Sequence, residues 1–116
     1  MLKTEVFKSV KNIVKLIEDK DGQDTIVIDM ENSELMVDYF IITTGNSETH
    51  IEALRNEIVR YLKDEDIPIL YYDKGKVYDW VIIDTGILII HIFSQEARNF
   101  YDLEGLWGEQ KKIKVN

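Results

Sequence analysis

Residues 79 to 93 read Asp79-Trp80-Val81-Ile82-Ile83-Asp84-Thr85-Gly86-Ile87-Leu88-Ile89-Ile90-His91-Ile92-Phe93, and this stretch decides the fold. Two apolar runs meet at Thr85-Gly86, which marks a tight hairpin. With those two residues as the loop, Trp80 faces His91, Ile82 faces Ile89 and Asp84 faces Ile87. Alternate residues share a side of a strand, so these six side chains project from one face. Val81, Ile83, Leu88 and Ile90 take the other face. Both faces are mostly apolar, so the hairpin belongs inside a sheet that helices cover on at least one side.

Working outward, Val6, Val10, Ile13, Val14 and Ile17 form a helical stripe, with lysines elsewhere around the wheel. Gly22 is placed to end that helix at the C′ position. Thr25 to Met30 and Val37 to Thr44 are β-branched runs that read as strands. Gly45-Asn46-Ser47 punctuates the chain, and Ile51, Leu54, Ile58, Tyr61 and Leu62 follow at helical spacing. Asn46 or Ser47 serves as N-cap, and Asp64-Glu65-Asp66 ends the helix. Ile67 to Tyr72 is expected as a third strand, with Pro68 near its start. Beyond the hairpin, Ser94 caps a short helix through Gln95-Glu96-Ala97-Arg98. The segment from Tyr101 to Trp107 is too apolar for a free tail and should dock on the body or on a partner. The expected order is α-β-β-α-β-β-β-α: an α/β or α+β fold with a mixed five-stranded sheet flanked by helices.

The chain has 116 residues, 45% of them hydrophobic and 31% charged, so one domain over residues 1–116 with a proper core is expected. Fourteen basic and twenty-two acidic side chains leave a formal net charge of −8. That argues against a module held to nucleic acid mainly by phosphate contacts and favours a basic partner. The absence of cysteine excludes disulfides and thiolate zinc sites, and two histidines make a His-rich metal site a poor expectation. The first residues, Met1 to Val6, hold no signal-peptide core. The longest apolar run, Ile87 to Phe93, is far shorter than the ~20 residues of a membrane helix. A soluble cytoplasmic protein without membrane attachment is expected.

Little here supports catalysis. The Thr44-to-Ser47 turn before a helix is a candidate anion site, or simply a small capping turn. It also resembles the opening of a nucleotidyltransferase catalytic motif. That motif continues with two carboxylates one residue apart, but this chain has Arg55-Asn56-Glu57-Ile58-Val59-Arg60 there, one carboxylate in place of two. His50, in the first turn of a helix, reads as a neutral surface or capping group. His91 reads either as a structural histidine or, with Trp80, as a patch open to a partner. Neither histidine is visibly paired with a serine nucleophile. Asp24, Asp29, Asp38, Asp79 and Asp84 are dispersed and read mainly as solvated strand ends.

Several of these pieces recur in one order. They are Lys20-x-Gly22-x-Asp24, Asp38-Tyr39-Phe40-Ile41-Ile42, Thr44-Gly45-x-Ser47, His50, Asp79-Trp80-Val81-Ile82-Ile83-Asp84-x-Gly86 and Ile90-His91-Ile92-Phe93. The set closes with Glu96-x-Arg98-x-x-Tyr101-x-Leu103-Glu104-x-Leu106-Trp107. In this the chain closely resembles the Iojap-related ribosomal silencing factor family, over about residues 6–107. It departs at Thr49, where the family often has arginine, and at Thr85, usually aromatic or aliphatic. Ile87 stands where an acid is common.

The resemblance implies a nucleotidyltransferase-like fold without the catalytic carboxylate pair, no enzymatic activity, and no cofactor or metal. It implies a homodimer when free that binds the large ribosomal subunit through ribosomal protein fourteen, on the face that meets the small subunit. Occupying that face blocks subunit joining and represses translation under nutrient limitation. The acidic charge adds that contact should be protein–protein, without direct dependence on nucleic acid. Trp80 is the expected anchor, with Asp79, Asp84, Thr85 and His91 around it. Tyr101 and the Glu96/Arg98 pair are further candidates, or else fasten the terminal segment to its own sheet. The alternatives are a nucleotide-binding or nucleotidyltransferase-like enzyme and a dimeric adaptor for another basic protein.

Overall fold

The computed structural model describes residues 2–76 and 79–115. Helix α1 (Lys3–Asp19) buries Val6, Val10, Ile13, Val14 and Ile17, the stripe set by a 3.6-residue period. At its end the Asp21 N–H donates to the Glu18 carbonyl and the Gly22 N–H to the Ile17 carbonyl. Asp21 takes the left-handed position with φ 64°, so Gly22 lies one residue beyond its expected place. Gly22 is needed for a different reason: a Cβ there would run into the Ile17 side chain and lie 2.9 Å from Thr43 Oγ1.

Strands β1 (Gln23–Asp29) and β2 (Tyr39–Thr44) pair antiparallel, with an irregularity between Gln23 and Ile26. Ser47 caps α2 (Glu48–Asp64) through the His50 N–H, and α2 buries Ile51, Leu54, Ile58 and Leu62. Strand β3 is only Tyr71–Tyr72, shorter than the expected run from Ile67. Pro68 has no N–H to give a ladder, and pairing with β4 begins only at Tyr71. Strands β4 (Trp80–Asp84) and β5 (Leu88–Phe93) form the hairpin, and α3 (Gln95–Tyr101) and α4 (Leu103–Leu106) follow. Strand β6 (Lys112–Ile113) then pairs antiparallel with Val27 and Ile28 of β1.

The sheet is mixed and its order is β3-β4-β5-β2-β1-β6, with β2 and β5 parallel. The α+β architecture is as expected, but the sheet has six strands where five were expected. The additional strand is β6, and α4 also extends the expected element order. Two residues flanked by lysines carry no period of their own, and β6 exists because the open edge of β1 accepts them.

The hairpin register differs from the expectation by two residues. Trp80 pairs with Phe93, Ile82 with His91 and Asp84 with Ile89. The central loop residues are therefore Gly86 and Ile87, with Gly86 at φ 89°, the sign a type II′ turn needs at its first central position. Thr85 closes the turn itself: its N–H reaches the Leu88 carbonyl at 2.9 Å, and its Oγ1 accepts from the Leu88 N–H at 3.0 Å. A shift of two preserves the faces. Val81, Ile83, Leu88 and Ile90 pack under α1 and α2 in the larger core cluster. Ile28, Phe40, Ile42 and Phe93 build a second cluster on the opposite face, where Ala97, Leu103 and Trp107 cover them. The terminal segment thus docks on its own sheet.

Candidate functional site

The second face is where aromatic side chains reach the surface. Trp80, at the start of β4, is half-buried, and its ring stacks on Phe93 at 4.9 Å between centroids. Tyr101, at the end of α3, lies 4.9 Å from Trp80 on a tilted approach. Phe100 stands edge-on to Tyr101 at 5.0 Å. Phe100 is 81% exposed and Tyr101 52% exposed, so the platform faces outward. With Asp79, Glu96 and Ala97 these two aromatics line a depression of about 300 Å³.

Serine 94 places α3 over this face. Its Oγ accepts from the Ala97 N–H at 3.1 Å, its N–H donates to the Asp79 carbonyl at 2.8 Å, and its hydroxyl bonds Asp79 Oδ1 at 3.2 Å. The N-cap expected at Ser94 is therefore present, and it also ties Asp79 to the helix. Two carboxylates, one tethered and one on the exposed Glu96, rim the aromatic platform.

His91 lies beneath, 5% exposed, in the middle of β5. Its Nδ1 accepts the Trp80 indole N–H at 3.1 Å, which puts the ring proton on Nε2. Nε2 is buried and has no hydrogen-bond partner. The Phe40 ring packs against the imidazole at 4.6 Å between centroids and supplies no acceptor oxygen. Leaving a polar group unpaired in such a place costs about 1–3 kcal/mol. Burial pushes the His91 pKa down to about 4, so the ring is neutral and accepting near neutral pH.

Arg98 does not join Glu96. Its Nε donates to Glu104 Oε1 at 2.7 Å, and its Nη1 donates to Thr44 Oγ1 at 2.9 Å and the Gln23 carbonyl at 3.4 Å. Residues two apart on a helix do not face each other, which separates Glu96 from Arg98. Arg98 is a buried clamp that fastens α3 and α4 to β1 and β2, the internal role foreseen as its alternative.

Asp84 and Thr85 stand at the far end of β4 from Trp80, four residues or about 13 Å along the strand. Asp84 Oδ1 accepts from the Gly86 N–H at 2.7 Å, and Thr85 closes the turn. The structure thus brings together Asp79, Trp80, His91, Glu96 and Tyr101, and sets Arg98, Asp84 and Thr85 apart. Phe93 and Phe100 were not singled out from sequence. Phe93 was legible by alternation, since it shares the parity of His91 in β5.

The Gly45-to-Ser47 turn is engaged with its own chain. The Gly45 N–H donates to the Phe93 carbonyl at 2.9 Å, the Asn46 N–H to His50 Nδ1 at 2.9 Å, and the His50 N–H to Ser47 Oγ at 3.0 Å. His50 Nε2 then donates to the Lys20 carbonyl at 2.7 Å, joining the start of α2 to the end of α1. This is the capping role expected of His50. Arg55 is also occupied, donating to the carbonyls of Asp73 and Gly75, while Glu57 pairs with Arg60. Among the described residues no group of three or more His, Asp and Glu is placed to hold a metal ion, and no helix is long and apolar enough to cross a membrane.

Comparison with known proteins gives a consistent set of relatives. The family model described as "Ribosomal silencing factor during starvation" matches residues 3–116. A Bacillus subtilis protein named ribosomal silencing factor RsfS is 33% identical over 103 residues, which cover 85% of this chain and 87% of the relative. A mouse protein named "Mitochondrial assembly of ribosomal large subunit protein 1" is 31% identical over 98 residues, 82% of this chain but 43% of its own length. The crystal structure of a Chromobacterium violaceum protein matches with a TM-score of 0.83 at 30% identity, covering 96% of this chain and 90% of the other.

Proposed function

The chain belongs to the ribosomal silencing factor family, and from that premise we propose that it binds the large ribosomal subunit and represses translation. The contact is to ribosomal protein fourteen on the face that meets the small subunit. The action is steric and needs no catalysis. A body measuring 34 × 33 × 26 Å, seated on that face, keeps the two subunits from closing on each other. The name of the mouse relative points to the same subunit.

The observation that carries the reading is the outward aromatic platform of Trp80, Phe100 and Tyr101 with acids at its rim. Ribosomal proteins are typically basic, and a net charge of −8 speeds encounter with such a partner while repelling bare RNA. Affinity then comes from desolvating the aromatics, where truncating a central Trp or Tyr costs about 2 kcal/mol or more. Trp80 and Tyr101 are the anchors, Asp79 and Glu96 guide approach, His91 acts from beneath, and Arg98 contributes only by clamping α3 to the sheet. A standard interface buries ~800 Å² per partner, so one that runs along the hairpin also reaches Asp84 and Thr85. When free the protein is proposed to be a homodimer in the cytoplasm.

Sedimentation tests this. The protein should travel with free large subunits and be scarce on joined ribosomes, and Trp80→Ala or Tyr101→Ala should lose that association while keeping the circular dichroism of the parent. Absence from large subunits removes the proposal. Full binding by both variants moves the site elsewhere.

A further inference from the structure

Among the buried polar groups, His91 is the one whose presence the core does not explain. It sits among Phe40, Ile42 and Phe93, apolar side chains that offer a ring nitrogen no partner and where an apolar residue is the ordinary choice. Instead the chain keeps an imidazole whose Nε2 has no partner. Local rules are broken in this way where a function compensates for the cost. Among the described residues the imidazole makes one hydrogen bond, 3.1 Å to the indole of Trp80.

That bond has the geometry of a positioning device. Ile82, not Trp80, pairs directly with His91, so the indole reaches diagonally across the ladder to Nδ1. His91 cannot follow a moving partner: β5 lies between β4 and β2, and the ring is 5% exposed. Phe93 beneath and Tyr101 beside the indole limit its tilt, but neither fixes rotation of the ring within its own plane. A hydrogen bond at Nε1 does, because it sets the direction of one ring edge.

We infer that His91 is a positioning residue for partner recognition: its Nδ1 fixes the Trp80 indole in the orientation that docks. This rests on the platform being the docking site, as proposed above. The indole is then ordered before encounter, and binding does not have to immobilise it. The neutral Nε2–H tautomer is the form that accepts at Nδ1, so the stranded Nε2–H is the consequence of that arrangement.

The test uses the full chain with two kinds of variant. His91→Phe keeps a ring and removes the acceptor, whereas His91→Asn places an amide oxygen near the Nδ1 position. The chain has two tryptophans, so the indole region of a ¹⁵N–¹H correlation spectrum holds two signals, and Trp80→Phe assigns them. In the parent the Trp80 indole proton should exchange with solvent at least about tenfold more slowly than in His91→Phe. Large-subunit binding should weaken about tenfold in His91→Phe, the loss expected when one side chain must be ordered on docking. His91→Asn should recover both the protection and most of the affinity.

A folded His91→Phe that binds like the parent, while Trp80→Ala and Tyr101→Ala do not, overturns the inference and leaves the platform standing. Failure of His91→Asn to recover either readout also overturns it, since the ring rather than the acceptor would then matter. If His91→Phe does not fold, the parent decides, because rapid indole exchange at Trp80 refutes the bond. If no platform variant alters binding, the proposed site fails, and the inference goes with it.

Discussion

The buried imidazole of His91 makes stability depend on pH in a calculable way. Burial holds its pKa at about 4 in the folded chain, against ~6.5 for an unfolded histidine. Between those values the unfolded chain takes up a proton that the folded chain refuses. The stability contributed by the neutral ring is therefore complete above about pH 6.5, and falls away as the pH drops toward 4. At ~1.4 kcal/mol per pH unit across that window, the full loss is about 3 kcal/mol. Urea unfolding followed by circular dichroism at about pH 7, 5.5 and 4.5 measures it, with His91→Asn as the non-titrating reference. His50 and the carboxylates are common to both proteins, so the difference in slope isolates His91. The parent should lose about 2–3 kcal/mol more than His91→Asn between about pH 7 and 4.5. Parallel loss in the two proteins would refute the reasoning, because it would mean that the ring takes up its proton equally well in both states.

Three other perturbations follow from named contacts. Arg98→Met removes the donor to Glu104, Thr44 and the Gln23 carbonyl from a side chain that is 8% exposed, and should cost about 3 kcal/mol in urea unfolding. It should also speed hydrogen exchange in α3 and α4 more than in α1. Gly22→Ala forces a methyl against Ile17 and Thr43, and should destabilise by about 1–3 kcal/mol in a thermal melt with little effect on the Trp80 end. Asp79→Asn with Glu96→Gln should slow association with large subunits at low salt and have little effect at high salt, as expected of rim charges that steer encounter. Surface plasmon resonance at two ionic strengths separates these outcomes.

The layered fold was legible because its two long helices carry clean apolar stripes. Val6, Val10, Ile13, Val14 and Ile17 are all buried, and so are Ile51, Leu54, Ile58 and Leu62. The hairpin was legible in place but not in register. Glycine at the second and glycine at the first position of a two-residue loop leave similar traces in a sequence, and the choice was made by the Thr85 hydroxyl, which bonds Leu88 across the turn. Strand β6 escaped because Lys112-Ile113 has no pattern until β1 offers an edge. At the site, the Trp80 and His91 association was readable from strand alternation, although the two are diagonal rather than opposite. The partner of Arg98 was not readable. Glu96 is nearer in sequence, but Glu104 is the one that α4 folds back into reach.

The most direct measurement mixes purified large and small ribosomal subunits with a saturating excess of this protein and follows their joining by light scattering. The account predicts that joining falls sharply, and that Trp80→Ala restores it. Joining at the rate and extent seen without the protein would contradict the account at its centre.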